Sequence, residues 1–291
     1  MALGTNHVTN TTAAAFIPEI WSDEIIAAYE NSLVVKPTVR GMSMVGKKGD
    51  TLYIPKPDRG DASVKAAETE VTLIAGATSK LTILLDQHYE YSRLIEDITD
   101  VQALSSLRRF YTEDAGYALA KRVDTDLIAE AANFTAQLEF LDGAGTQTAA
   151  GTATAGFTDL GFREALQVLD DNDVPMDNRV FIIPPAMKKE MLSVTNYVST
   201  DFVTGKPVET GKIGSLYGVD IYVSTNLPTE NTDEKGSLLM HKDALVHVEQ
   251  VGVRVQTQYK QEFLADLMTA DCLYGVETYR PEAGVRLYGT V

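Results

Sequence analysis

Apolar positions along the chain recur with two different periods, and the switches between them divide the sequence into elements. Trp21, Ile25, Tyr29 and Leu33 repeat every fourth residue. With Pro18 at the first helical position they predict an amphipathic helix that stops before Pro37, Trp21 being a packing anchor in its stripe. Residues 1–12, rich in Thr, Asn and Ala and without periodicity, are expected to form a mobile arm. From Gly49 the period falls to two. Residues 51–57 alternate through Leu52 and Ile54, and residues 80–92 alternate for longer, with Leu81, Ile83, Leu85, Gln87, Tyr89 and Tyr91 on one face. Pro57, Gly60 and Gly76 punctuate the polar stretch between them. The expected structure is a two-stranded hairpin with an extended tip, reaching about 40 Å at ~3.3 Å per residue. Such a hairpin is marginal in water, so the rest of the chain or a neighbouring subunit must cover it.

The helical period then returns at unusual length. Leu104, Leu107, Tyr111, Ala115, Leu119, Val123, Leu127 and Ala131 step by three or four with no intervening proline, and only Gly116 weakens the run. The prediction is a rod of about 45 Å at ~1.5 Å per residue. Its other face carries Glu113, Asp114, Asp124, Asp126 and Glu130 against Arg108, Arg109, Lys121 and Arg122, which reads as a solvated face of mixed charge. Residues 142–156 are small and polar and are expected to be a linker or surface loop. A helix follows, with Thr158 as N-cap and Leu160, Ala165, Leu166 and Leu169 as its stripe, ending before Pro175. The run at 179–183, Arg-Val-Phe-Ile-Ile, predicts a buried strand closed by Pro184 and Pro185, with another helix over 186–194. Residues 211–228 read as turn and strand, 229–236 as a polar turn, and 238–240 and 245–255 as strand. Residues 263–287 are open at their start, where Phe263, Leu267 and Cys272 fit a helix, and strand-like from 277.

Composition narrows the function classes. At 291 residues, 44% of them apolar and 23% charged, the chain holds one large or two modest domains with a real core. The formal charge of -16 excludes a protein whose main surface grips nucleic acid, since such surfaces cluster Lys and Arg against phosphate. Residues 96–180 hold -10 of that charge, 16 acidic side chains against 6 basic ones. The one cysteine, Cys272, cannot close an intramolecular disulfide and reads as a small buried hydrophobe. The first basic side chain is Lys36 and the longest apolar runs are five residues, so the chain is expected to be soluble and intracellular, without signal peptide or membrane span.

Catalytic patterns fail on inspection. Gly41 to Lys48 (GMSMVGKK) approaches a P-loop, but Lys48 stands where Ser or Thr must hold magnesium, and a strand follows instead of a helix. Arg59, Gly60 and Asp61 match a tripeptide of integrin ligands by chance. His241 and His247 are six apart, and His7 and His88 have no nearby ligand partners. Asp170, Asp171 and Asp173 lack the glycine and final glutamate of a calcium loop. An acidic enzyme using carboxylates between Asp170 and Asp177 is a competing reading, with no base or ligand set to complete it.

The order of parts (arm, helix, long hairpin, rod helix, mixed domain, returning strands) resembles the major capsid protein of tailed bacteriophages, with the Hong Kong 97-like fold that encapsulin shells share. Ile213, Leu216, Gly218, Val219, Asn226, Leu227 and Pro228 fit a segment common in that family's apical domain. Tyr279, Arg280, Pro281, Glu282, Ala283, Gly284 and Val285 fit the Arg-Pro end of its last peripheral strand. The resemblance implies an α+β chain with an N-terminal arm and helix at 1–48, an extended loop at 49–93 and a spine helix in the peripheral domain at 94–140. It further implies an apical domain at 141–235 and peripheral strands at 236–291. It implies pentamers and hexamers of this chain in a virion shell, made in the host cytoplasm, that encloses DNA without sequence-specific binding. A separate scaffolding protein and a portal would be the partners, and no membrane, catalytic, cofactor-binding or metal-binding residues are called for. An encapsulin-type compartment is the alternative within the same fold.

Overall fold

The computed structural model describes residues 34–57, 60, 62–71, 73, 76, 78–96, 107–148, 153–194, 214–231 and 233–290. The arm at 1–12, the helix expected from Pro18 and its anchor Trp21 lie outside the described residues, as do His7, Arg59, Asp61, Leu104 and Ile213.

Two sheets carry the fold. A four-stranded sheet runs in the order β1 (Arg40–Ser43), β12 (Leu245–Lys260), β13 (Ala265–Thr278), β4 (Gln87–Glu96). β1 is parallel to β12 and the other pairs are antiparallel. The second sheet has the order β6 (Ala144–Thr148), β5 (Ala136–Leu141), β14 (Gly284–Thr290), β11 (Glu234–His241), β7 (Arg179–Ile183), β9 (Val219–Val223), β8 (Ser215–Leu216). The short β10 (Thr229–Asn231) pairs with β11. Helix α1 (Leu107–Glu130) lies on the four-stranded sheet, while α2 (Asp159–Asp171) packs on β5, β6 and β14. The short α3 (Pro185–Met191) buries Met187 and Met191.

Local chemistry explains most of these elements. The β7 run is buried at all five positions because it is an interior strand, flanked by β11 and β9. Thr158 caps α2, accepting a hydrogen bond from the Gly161 amide at 3.3 Å. The buried positions of α2 are Gly161, Phe162, Ala165 and Leu169; Leu160, expected in the stripe, is 44% exposed. Phe162 takes its place, with its ring 4.8 Å from that of Phe181 on β7. The β8–β9 turn is built on Tyr217 (φ 50) and Gly218 (φ 80), two successive left-handed residues that match a tight hairpin of the type favouring glycine second.

Two further expectations change and one open choice is settled. Part of 142–156 is the strand β6, recruited as an edge onto β5. The helix allowed at 263–272 is absent, because β13 pairs with β12 and β4 on both sides along this stretch. The polar turn at 229–236 contributes β10 and the start of β11. In the larger sheet β11 and β14, from the C-terminal part of the chain, lie between β5 and β7.

Residues 80–92 form two strands instead of one. β3 (Thr78–Leu84) peels away with β2 (Thr51–Pro57) as a two-stranded ribbon, and β4 joins β13. The Leu85 amide donates to the Asp50 carbonyl at 2.8 Å and so closes the ribbon base. The alternation survives the break: Ile83 and Leu85 are buried and Tyr89 and Tyr91 half-buried, whereas Leu84, Asp86, His88 and Glu90 are exposed. With seven paired residues per strand the ribbon spans about 23 Å at ~3.3 Å per residue, shorter than the 40 Å expected. Its base rests on Ile83, Leu85, Val246, Val248 and Met44, a small core separate from the main one. There the Leu84 carbonyl crosses Gly275 of β13 so closely that a β-carbon would collide with it.

Helix α1 has 24 residues, about 36 Å at ~1.5 Å per residue, continued by a 3-10 turn at Ala131–Asn133. Ala115, Leu119, Val123, Leu127 and Ala131 are buried as expected, joined by Ile128. The opposite face is not simply solvated. Asp124 is 1% exposed and accepts hydrogen bonds from the amides of Val35 (3.3 Å) and Lys36 (3.0 Å). It thereby caps the 3-10 turn Lys36–Thr38, which opens the strap leading to β1. Burial raises its pKa despite those amides. Asp114 accepts from the Tyr91 hydroxyl at 2.6 Å, and Asp126 from the Tyr274 hydroxyl at 2.7 Å. Arg122 bridges Asp126 (3.0 Å) and the Tyr89 hydroxyl (2.9 Å), and burial together with its carboxylate partner pushes the Tyr274 hydroxyl pKa upward.

The strap is held to β12 as well, by Lys36 to Glu249 (3.5 Å), and Arg40 at the start of β1 reaches Asp243 in the β11–β12 turn (3.2 Å). Between them His247 is buried against Tyr274, ring centroids 5.5 Å apart. Burial first, and Lys36 second, push its pKa down to about 4, against the opposing pull of Glu249.

Gly275→Ala is expected to lower stability by about 1 to 3 kcal/mol, the usual cost of overpacking, because the backbone of Leu84 cannot retreat without opening the ribbon base. Chemical denaturation measures it; an unchanged midpoint would show that the crossing tolerates a methyl group. His247 is neutral in the fold and takes up a proton near pH ~6.5 when unfolded, so stability is lost as pH falls from there toward about 4. Asp124, with its pKa raised, acts in the opposite sense. His247→Asn is therefore expected to flatten the acid limb of the stability curve relative to the parent, by at most ~3 kcal/mol. Parallel acid limbs for the two proteins would remove His247 from that role.

Candidate assembly surfaces

No side-chain constellation in the described residues takes the form of an active site. Among them no three His, Cys, Asp or Glu groups cluster as metal ligands, and no helix is long and apolar enough to cross a membrane. Residues 41–48 run from β1 into a turn ahead of β2. Cys272 is buried on β13 and its thiol pKa is raised by desolvation. His88 meets Asp271 at 3.3 Å, and His241 accepts from the Asp243 amide through Nδ1 at 3.1 Å. Asp170 is bound to the buried Arg179 at 2.7 Å, so the first carboxylate of the acidic run closes a structural pair. That guanidinium also donates to the Val174 and Pro175 carbonyls, which fastens the α2–β7 connection.

What the described residues expose instead is apolar surface on projecting elements. The ribbon shows Tyr53 and Leu84 on its outer face, with Lys80 stacked 4.1 Å over the Tyr53 ring. In the tip beyond it, Val64, Val71 and Leu73 are exposed, Leu73 at 87%, with no strand pairing. The β12–β13 hairpin ends in Phe263 and Leu264, 61% and 66% exposed, Leu264 held at φ 46. Large apolar side chains grouped on protrusions mark contacts with another macromolecule far more often than scattered single ones do. The hairpin signal was legible in the sequence. The apolar β12–β13 tip was missed because residues 263–272 fitted a helix as well.

The acidic segment 96–180 divides by use. Asp114, Asp124, Asp126, Asp159, Glu164 and Asp170 all hold partners within the fold. Asp171, the last residue of α2, accepts from Gln167 at 3.5 Å yet stays exposed, as do Asp173 and Asp177 just beyond the helix.

These features agree with what the chain is similar to. A solved structure from Mycobacterium phage Che8 has 25% sequence identity, with 94% of this chain and 97% of that one covered and a TM-score of 0.79. The capsid of Cyanophage P-SCSP1u has 20% identity, 98% and 96% coverage and a TM-score of 0.80. The mature capsid of bacteriophage PhiM1 has 15% identity, 93% and 91% coverage and a TM-score of 0.72. No curated protein matches the chain. The family model for phage capsid protein matches residues 18–287, nearly the whole sequence, and the chain belongs to that family.

Proposed function

We propose that the chain is the major capsid protein of a tailed phage, self-assembling into the icosahedral shell that encloses a double-stranded DNA genome. The β2–β3 ribbon is the observation that carries this reading. Its inner face packs on the small core through Ile83, Leu52, Ile54 and Leu81, whereas its outer face and the described tip residues expose apolar side chains that a lone subunit would leave in water. Laid across an adjacent subunit they are covered. Contacts of this head-to-tail kind close pentamers and hexamers around symmetry axes, and such rings tile a shell.

In Hong Kong 97-like terms, residues 1–48 are the N-terminal arm, 49–93 the extended loop, and α1 the spine helix of 94–140. The four-stranded sheet is the peripheral domain and the larger sheet the apical one. The sheet order supports assigning β11 and β14 to the apical domain, so that only β12 and β13 of the 236–291 segment return to the peripheral domain. The loop, arm and spine helix would adjust between pentamer and hexamer positions and during maturation. A separate scaffolding protein and a portal complete the assembly, which takes place in the host cytoplasm before the subunit resides in the virion. The encapsulin alternative is not favoured, because the matching family and the similar solved capsids are those of phages.

Catalysis has no part in this reading. The negative surface left by Asp171, Asp173 and Asp177 suits a container that repels phosphate and holds a genome without gripping it.

Replacing residues 58–77 by an Asn-Gly turn between Pro57 and Thr78 is expected to leave a soluble, folded subunit that no longer forms closed particles in negative-stain microscopy. Normal shells from that variant would remove the loop from the assembly contact. The parent protein, alone or with its scaffold, should give rings or shells, and a strict monomer under all conditions would overturn the reading.

A further inference from the structure

The outer edge of β12 changes character halfway along its length. From Val246 to Glu249 it is covered by β1, and Gln250 Nε2 then donates to the carbonyls of Lys47 (3.1 Å) and Gly49 (2.8 Å). The register with β13 shifts between Glu249 and Arg254, and past that bulge no described strand pairs with the outer edge. Positions 253–259 are exposed throughout. Val255 and Thr257 lie on the face that α1 covers over β13, where their opposite neighbours Ala270 and Met268 are buried. The helix reaches the first half of β12 but not this stretch, leaving Val255 42% exposed.

Free edges are normally blunted by charge or proline. The ribbon follows that rule, since β2 carries Pro55, Lys56 and Pro57. The β12 edge does not. Its stretch Val253–Arg254–Val255–Gln256–Thr257–Gln258 has no proline and one charge. Arg254 is drawn back across the sheet by two 2.7 Å hydrogen bonds to Asp271, leaving the edge electrically quiet.

We propose that this edge pairs antiparallel with the same edge of a second copy across a two-fold axis centred on Gln256, joining the two sheets into one. The midpoint of the exposed stretch is Gln256. A two-fold normal to the sheet keeps both α1 helices on one side and sets Val255 opposite Thr257, Arg254 opposite Gln258, and Gln256 opposite itself. No like charges meet. Centring on Arg254 would oppose two arginines, and centring on Thr257 would set Arg254 against Lys260, both unfavourable across a sheet. The occupant is a second copy because a capsid protein is surrounded by identical chains, and the edge sequence complements itself. An isologous contact closes with two copies and does not propagate into fibres, so it can tie neighbouring rings together. The proposal rests on the shell reading only for the presence of those neighbours.

Gln256→Cys tests it in assembled shells. Across the axis the two α-carbons would stand about 4.5 to 5.5 Å apart, within disulfide reach. Mild oxidation should yield dimers as the only crosslinked species on a denaturing gel, while the parent chain, with Cys272 buried, remains monomeric. Intact shells without dimers, or a ladder above the dimer, would overturn the pairing and leave the shell reading standing. If the cysteine variant does not assemble, Gln256→Lys and Gln256→Glu decide the matter. Each alone should lose closed particles, by like charges at the axis, and a mixture of the two should regain them. Normal shells from either alone, or no rescue in the mixture, would sink the proposal, whereas failure of the parent chain to form shells would sink the assembly reading instead.

Discussion

Burying α1 against the four-stranded sheet brings three carboxylates to that contact, and each meets a donor supplied from elsewhere in the chain. Asp114 and Asp126 take the hydroxyls of Tyr91 and Tyr274, so β4 and β13 are each tied to the helix by a polar link beside their apolar contacts. Asp124, the most buried of the three, takes the amides that begin the N-terminal strap. A buried carboxylate left without donors would cost several kcal/mol, so these links fix the helix in register as well as in place. The strap in turn carries β1 to the edge of β12 and sets where the ribbon leaves the body.

Everything that projects depends on that arrangement. The ribbon departs over Gly275, where only a glycine lets the Leu84 carbonyl cross β13. Its base is buried and its outer face and tip are not, a division that makes little sense for a solitary molecule and follows directly for a subunit that neighbours will cover. The same reasoning applies to the β12–β13 hairpin, whose base is enclosed between β1 and β4 while its far end carries exposed Phe263 and Leu264. The interior of the protein is organised around its own sheets; on the proposed reading, the projecting surface is organised around other copies.

Periodicity made much of this legible beforehand. The ribbon strand at 51–57, the rod helix, the cap at Thr158 and the buried run at 179–183 all stand where the pattern of residues put them. The inward positions from Leu81 to Tyr91 keep their alternation even though the strand breaks at Leu85. Two departures and one open choice have distinct causes. Leu160 and Phe162 fit neighbouring faces of α2, and the aromatic ring won because Phe181 and Phe157 were there to receive it. Residues 263–272 carry apolar groups compatible with either period, and pairing on both sides selected the strand. The 142–156 segment has weak preference of its own and became partly strand because β5 offered an open edge.

The sequence by itself determined the periods of the main helices and strands, the lack of an intramolecular disulfide partner for Cys272, and an acidic balance that argues against a main surface built to grip nucleic acid. Periodicity and composition are properties of the chain read in one dimension, so they survive without knowledge of what packs against what. Only the tertiary structure decided which carboxylates are buried. Asp124 and Glu113 are indistinguishable as charges on a helix, yet one is sealed under the strap and the other faces solvent. Partners 88 residues or more away make that difference, and long-range proximity is what a linear pattern cannot express.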